Sequence, residues 1–147
     1  MNFFNKLQLG DGGSYLIGFF TAFYIINFIS QNPLASPYFA VLILWYPCFE
    51  NLFSISRKIY QKKSISDADN LHLHHNIFLF FKIKNFKNLN NLTGLILNLS
   101  NLVLIYMGIN FIYSTKHLVL LIFVNIFLYI LSYNILIKII LSKKFKK

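Results

Sequence analysis

Apolar residues run almost unbroken through four stretches of the chain, residues 15–30, 38–55, 92–113 and 117–141, and polar residues collect between them. None of the four alternates as a half-buried strand does, and a helix needs about 20 apolar residues to cross a bilayer. The first stretch reaches that length with a turn added at each end. Lipid offers the backbone no hydrogen-bond partners, so these segments are predicted to be helical throughout. The implied fold class is all-α: a polytopic integral membrane protein, one membrane domain over residues 1–147, with four transmembrane helices and one large loop over residues 56–91. Gly10, Gly12 and Gly13 predict a non-helical lead-in, after which Ser14 is well placed to cap the first helix. Pro33 and Pro37 predict a tight turn over 31–37, Pro47 a bend in the second span, and residues 114–116 a minimal turn. A short amphipathic piece, Asn76 to Phe86, is expected to lie on the membrane surface. The lead-in is not a basic segment joined directly to an apolar core, so the first stretch reads as a retained span, not a cleaved signal peptide.

Composition strengthens this picture. The 147 residues are 56% hydrophobic and 18% aromatic, with only 12% charged, against roughly 25% charged in ordinary soluble domains. A soluble fold of this length has no interior large enough for that much Phe, Ile and Leu. The net charge of +10 would ordinarily raise nucleic acid as a partner. Here the basic residues cluster beside the spans, as the positive-inside rule describes, so the reading is membrane lipid and no nucleic acid. Lys116 alone falls between the third and fourth spans; Lys6, the large loop and the basic tail fall on the opposite side. That side is expected to be the cytoplasm, with both termini in it. Cys48 is the one cysteine, so no disulfide framework exists and its expected role is packing.

Candidate chemistry gathers in two places. The longest polar interval, Arg57 to His75, holds the one Arg, two of the four acidic residues and three of the four His. His72, His74 and His75 have neither the Cys partners nor the H-E-x-x-H spacing of a zinc site. Beside Arg57, Lys58, Lys62 and Lys63 they form a donor-rich surface suited to a phosphorylated ligand. An interfacial loop whose imidazoles merely tolerate the headgroup region fits the same pattern. Asp67 and Asp69 precede the run and could orient an imidazole or cap a helix starting near Asn70. The second place is Gly10-Asp11-Gly12-Gly13-Ser14, a carboxylate among glycines at the start of a span. Small residues admit a ligand to the backbone there, and a carboxylate suits a divalent cation bridging to phosphate. A solvated polar cap is the plainer alternative. The charge distribution puts both places on the same face of the membrane.

Taken in order, Gly10-Asp11-Gly12-Gly13-Ser14, then Pro47 with Glu50, the pair Arg57-Lys58, and Ala68-Asp69-Asn70-Leu71-His72-Leu73-His74-His75 resemble one family. It is the polyprenyl-phosphate N-acetylhexosamine-1-phosphate transferases (glycosyltransferase family 4), and most of all the undecaprenyl-phosphate GlcNAc-1-phosphate branch. The resemblance implies an enzyme of the bacterial inner membrane. It would move a sugar-1-phosphate from a UDP-sugar to a polyprenyl phosphate with Mg²⁺ or Mn²⁺, releasing UMP in a first step of envelope glycan synthesis. It further implies Asp11 as catalytic residue and metal ligand, with Gly12, Ser14, Arg57, Lys58, Asp69, His72, His74 and His75 binding substrate. The sequence departs from the family in having Glu50 where Asp is usual and Lys58 where a second Arg is common. An adjacent pair of Asp and a later Asp-rich motif, both usual in the family, have no counterpart among its four acidic residues. The resemblance is therefore to a C-terminal half, whose expected partner is a separate N-terminal half or a second copy of the chain. An inactive fragment of that enzyme, or a small cationic membrane protein binding anionic lipid or a partner, are the alternatives.

Overall fold

A computed structural model describes residues 10–64 and 71–144. They form five helices: α1 (Gly10–Gln31), α2 (Tyr38–Tyr60), α3 (Leu73–Ile83), α4 (Leu89–Ile109) and α5 (Thr115–Lys144). All but α3 are long and apolar enough to cross a membrane. The chain is an all-α polytopic membrane protein, and its wide exposed surface of Phe, Leu, Ile and Tyr is the surface such a protein turns to lipid.

Helix ends differ from the hydrophobic runs that announce them. The glycines do not form a non-helical lead-in: α1 begins at Gly10, and Ser14 is not its cap but lies inside it, its hydroxyl donating to the Gly10 carbonyl at 2.9 Å. Glycine costs a helix about 1 kcal/mol per residue relative to alanine, less than an unsatisfied backbone group in lipid. Similarly, α2 runs through Pro47 to Tyr60, which places Arg57 and Lys58 in its last turn and not in a loop. The large loop is itself partly helical, because α3 starts at Leu73 and carries His74 and His75 in its first turn. Residues 110–114, rather than 114–116, make the turn into α5. An apolar run marks where the chain is greasy; a helix continues until another partner for its backbone appears.

Two turns meet at one end of the bundle. The Ser36 N–H donates to the Ile112 carbonyl at 2.9 Å, and the Ser36 hydroxyl lies 2.8 Å from that of Thr115. The turn after α1 and the turn after α4 therefore share one face. The C-terminal ends of α2 and α5, with α3, occupy the other. Between the faces, Phe39, Leu42, Leu104 and Leu118 form an apolar cluster next to the turns. Gly108 lets α4 approach α2 there, since a Cβ at that position would run into the Leu42 side chain. A second cluster, nearer α3, packs Leu73, Tyr129 and Tyr133 against Trp45, Tyr46, Phe49 and Phe53. Trp45 touches both clusters and donates its indole N–H to Asn101 at 3.1 Å, tying α2 to α4. α1 stands apart: none of its residues is buried, and its contact with α2 includes Phe28 against Phe39, ring centroids 6.0 Å apart.

Candidate functional site

The site is built from α2. Glu50 and Arg57 are seven residues apart on it, two turns along one face. Glu50 is buried at 8% exposure, and its Oε1 accepts the backbone N–H of Leu73 at 2.9 Å and lies 3.0 Å from Nδ1 of His72. The first N–H groups of a helix have no partner within it, and negative charge is favourable at that end. Glu50 thus caps α3 from a neighbouring helix, and α3 needs this because its own N-cap residue, His72, makes no side-chain cap bond. One turn pair further along, Nη1 of Arg57 donates to the Leu71 carbonyl at 2.9 Å and to the Tyr133 hydroxyl at 2.6 Å. The guanidinium also sits over the rings of Phe53 and Tyr133, 5.9 and 5.5 Å from their centroids. Residues 71–73 are gripped at consecutive positions by two α2 side chains of opposite charge.

Beyond the grip, the imidazoles form a rim. His74 stacks on His72 with centroids 5.4 Å apart and 10° between the planes, and His75 stacks on Phe78. Partial burial holds the His74 ring below the ordinary histidine range; Glu50 opposes the shift, and the neighbouring His72 and His75 add to it. Against this rim lies an open cleft of about 390 Å³ between α3 and the start of α4, lined by His74, His75, Asn90, Thr93 and apolar Phe78 and Leu97. Both helices give it hydrogen-bonding groups as well as hydrocarbon. Below the grip, the hydroxyls of Tyr46 and Tyr129 are close enough to feel the Glu50 charge. Neither hydroxyl nor the Glu50 Oε2 atom completes a hydrogen bond among the described residues.

Of the residues the sequence singles out, the structure brings together Arg57, His72, His74 and His75, with Lys58 half-buried next to Arg57 in the last turn of α2. Arg57 reaches the site differently from expectation, holding the histidine segment in place through Nη1. Asp11, Gly12 and Ser14 lie in the first turns of α1, where Asp11 is exposed and makes no hydrogen bond or ion pair among the described residues. Asp69, like Asp67, lies outside the described residues. No group of three His, Cys, Asp or Glu side chains able to hold a metal occurs among the described residues. Asp11 is a lone carboxylate and Glu50 is engaged with His72 and Leu73, so these residues do not by themselves fit Mg²⁺ or Mn²⁺, which demand several oxygen ligands in near-octahedral array. The residues that sequence reasoning missed are Tyr46, Tyr129 and Tyr133, and it did not pair Glu50 with His72. One signal was available: Tyr129 and Tyr133 are four apart on α5 and so share a face, as Glu50 and Arg57 do on α2.

Comparison with known proteins adds one finding. Over 76 residues the chain is 32% identical to a Bacillus subtilis protein named "probable undecaprenyl-phosphate N-acetylglucosaminyl 1-phosphate transferase". The match covers 51% of this chain and 21% of that protein, so the chain spans about a fifth of the relative's length. No family model matches the chain, and no solved structure matches it.

Proposed function

We propose that the chain is part of a membrane transferase that moves a sugar-1-phosphate from a UDP-sugar to a polyprenyl phosphate. Within it, the rim of His72, His74 and His75 with Lys58 binds the nucleotide diphosphate. The observation that carries this reading is the grip of Glu50 and Arg57 on residues 71–73, which holds imidazoles at the end of a bundle of membrane spans. The partial match to a protein named for this activity supports it. Imidazole N–H groups and an ammonium are the donors that suit phosphate oxygens, and the His72 ring is held in place by Glu50 before a ligand arrives. The cleft beside His74 and His75, mostly apolar with a few hydrogen-bonding groups, is suited to a ligand bearing both a phosphate and a hydrocarbon. By the Lys and Arg distribution this face is cytoplasmic, in a bacterial inner membrane, with both termini on the same side.

Chemistry needs carboxylates that the described residues do not gather, and phosphoryl transfer between two anions depends on such charge neutralisation. The test has two arms. In bilayer nanodiscs the chain is expected to bind UDP saturably, and His74→Ala with His75→Ala to abolish binding; absence of saturable binding by the unaltered chain would sink the assignment of the rim. Supplied with Mg²⁺, a UDP-N-acetylhexosamine and polyprenyl phosphate, the 147 residues alone are expected to release no UMP above background. Clear release would mean that the catalytic carboxylates are among the four it has.

A further inference from the structure

We propose that Glu50 is the positioning residue for His72: it fixes which ring nitrogen carries the proton and which atom the ring shows to a ligand. A neutral imidazole has one N–H and one lone pair, and the partner of one nitrogen decides the role of the other. Oε1 of Glu50 already accepts the Leu73 N–H at 2.9 Å, so it is an acceptor, and the contact with His72 at 3.0 Å is a bond donated by Nδ1–H. The remaining nitrogen, Nε2, then carries the lone pair. Free imidazole side chains favour the opposite arrangement only slightly, so one buried acceptor is enough to set the balance.

The surroundings make this arrangement rigid. Glu50 is nearly enclosed, with a side-chain exposure of 10%, and His72 is partly covered at 25%. Other charged and titratable groups face the pair from each neighbouring element: Tyr46 on α2, Tyr129 on α5, and His74 and His75 on α3. Stacking of His74 on His72 at 10° fixes the ring plane, while the bond to Glu50 fixes its rotation. The same oxygen caps α3, so the start of that helix and the orientation of the ring are set by one atom. In the neutral ring Nε2 can only accept a hydrogen bond, and it donates to an oxygen such as a phosphate's only in the protonated ring. This deepens the nucleotide-binding reading and, for its second half, rests on it.

The experiment is nitrogen NMR of the chain in nanodiscs, labelled with ¹⁵N at its four histidines, with His72 assigned from a His72→Gln sample. At a pH where the ring is neutral, His72 is expected to show protonated Nδ1 and unprotonated Nε2. Glu50→Gln keeps an acceptor oxygen in the same place and is expected to retain that pattern; Glu50→Leu, similar in volume and without an acceptor, is expected to lose it. Finding protonated Nε2 in the unaltered chain, or an unchanged pattern in Glu50→Leu, would overturn the proposal, and the first of these needs no variant to fold. UDP titration of the same samples is expected to show Glu50→Leu weaker than Glu50→Gln by on the order of tenfold, the loss seen when an orienting partner is taken from a working imidazole. Equal affinities in the two would refute the positioning role. Failure of the unaltered chain to bind UDP at all would defeat the functional reading instead, while the tautomer result would still decide the role of Glu50.

Discussion

Tyr129 and Tyr133 stand one turn apart on α5, equally buried, and only one of them has work for its hydroxyl. Tyr133 receives a 2.6 Å bond from Arg57; the Tyr129 hydroxyl lies beside the Glu50 carboxylate without completing a hydrogen bond to it or to another described residue. Tyr133→Phe is therefore expected to destabilise the bundle by about 1.5–3 kcal/mol, the range for hydrogen bonds to charged groups, whereas Tyr129→Phe should be neutral or slightly stabilising. Thermal melts of both variants in one detergent check the contrast, and equal losses would contradict it. At His74 the prediction concerns pH. Partial burial disfavours the charged ring and so holds its pKa below the ordinary histidine value. Binding a diphosphate favours the protonated form, so affinity for UDP should rise as pH falls through the range in which the ring takes up a proton. Titrations at a series of pH values, with His74→Gln as the flat reference, read this directly. None of these distinctions is visible in the sequence, because they depend on which partner lies across a helix interface.

Elements were legible in part. Four apolar runs located the four spans because lipid selects composition over a whole segment, and that signal survives in any single sequence. Ends were less legible. Gly10 to Ser14 read as a cap, and Arg57-Lys58 read as loop, because turn propensity describes water and these backbones sit at the edge of lipid. Within the loop, α3 was legible as an amphipathic piece over 76–86 and a capped start near Asn70, but not the cap itself: the carboxylate that accepts its first N–H belongs to α2, 23 residues earlier. The bundle's far end gives this scale its prediction. With Cys48→Ser as background, Ser36→Cys and Thr115→Cys should form a disulfide readily, since the two hydroxyl oxygens are 2.8 Å apart and cysteine pairs bridge at such approach. A mobility shift reversed by reductant measures it, and failure to oxidise would mean that the two turns do not meet.

For the whole molecule, the arrangement predicts sidedness. A membrane-impermeant thiol reagent applied to sealed inverted vesicles should label Lys82→Cys and spare Lys116→Cys, with the pattern exchanged in right-side-out vesicles; the two sites labelling together would end the four-span topology. That topology has a mechanical side as well. Ser36, Ile112 and Thr115 rivet the bundle at one end, and the histidine rim is at the other, so the spans form a pair of tweezers closed at the handle. α2 has 23 residues, which at 1.5 Å each is a lever of about 35 Å. A tilt of roughly 3° at the rivet moves its tip by about 2 Å, enough to break a hydrogen bond. The contacts of Arg57 with Leu71 sit near that tip and those of Glu50 about halfway along the lever, and together they act as a latch, so whatever loosens them frees the start of α3 from α2 without disturbing the far turns.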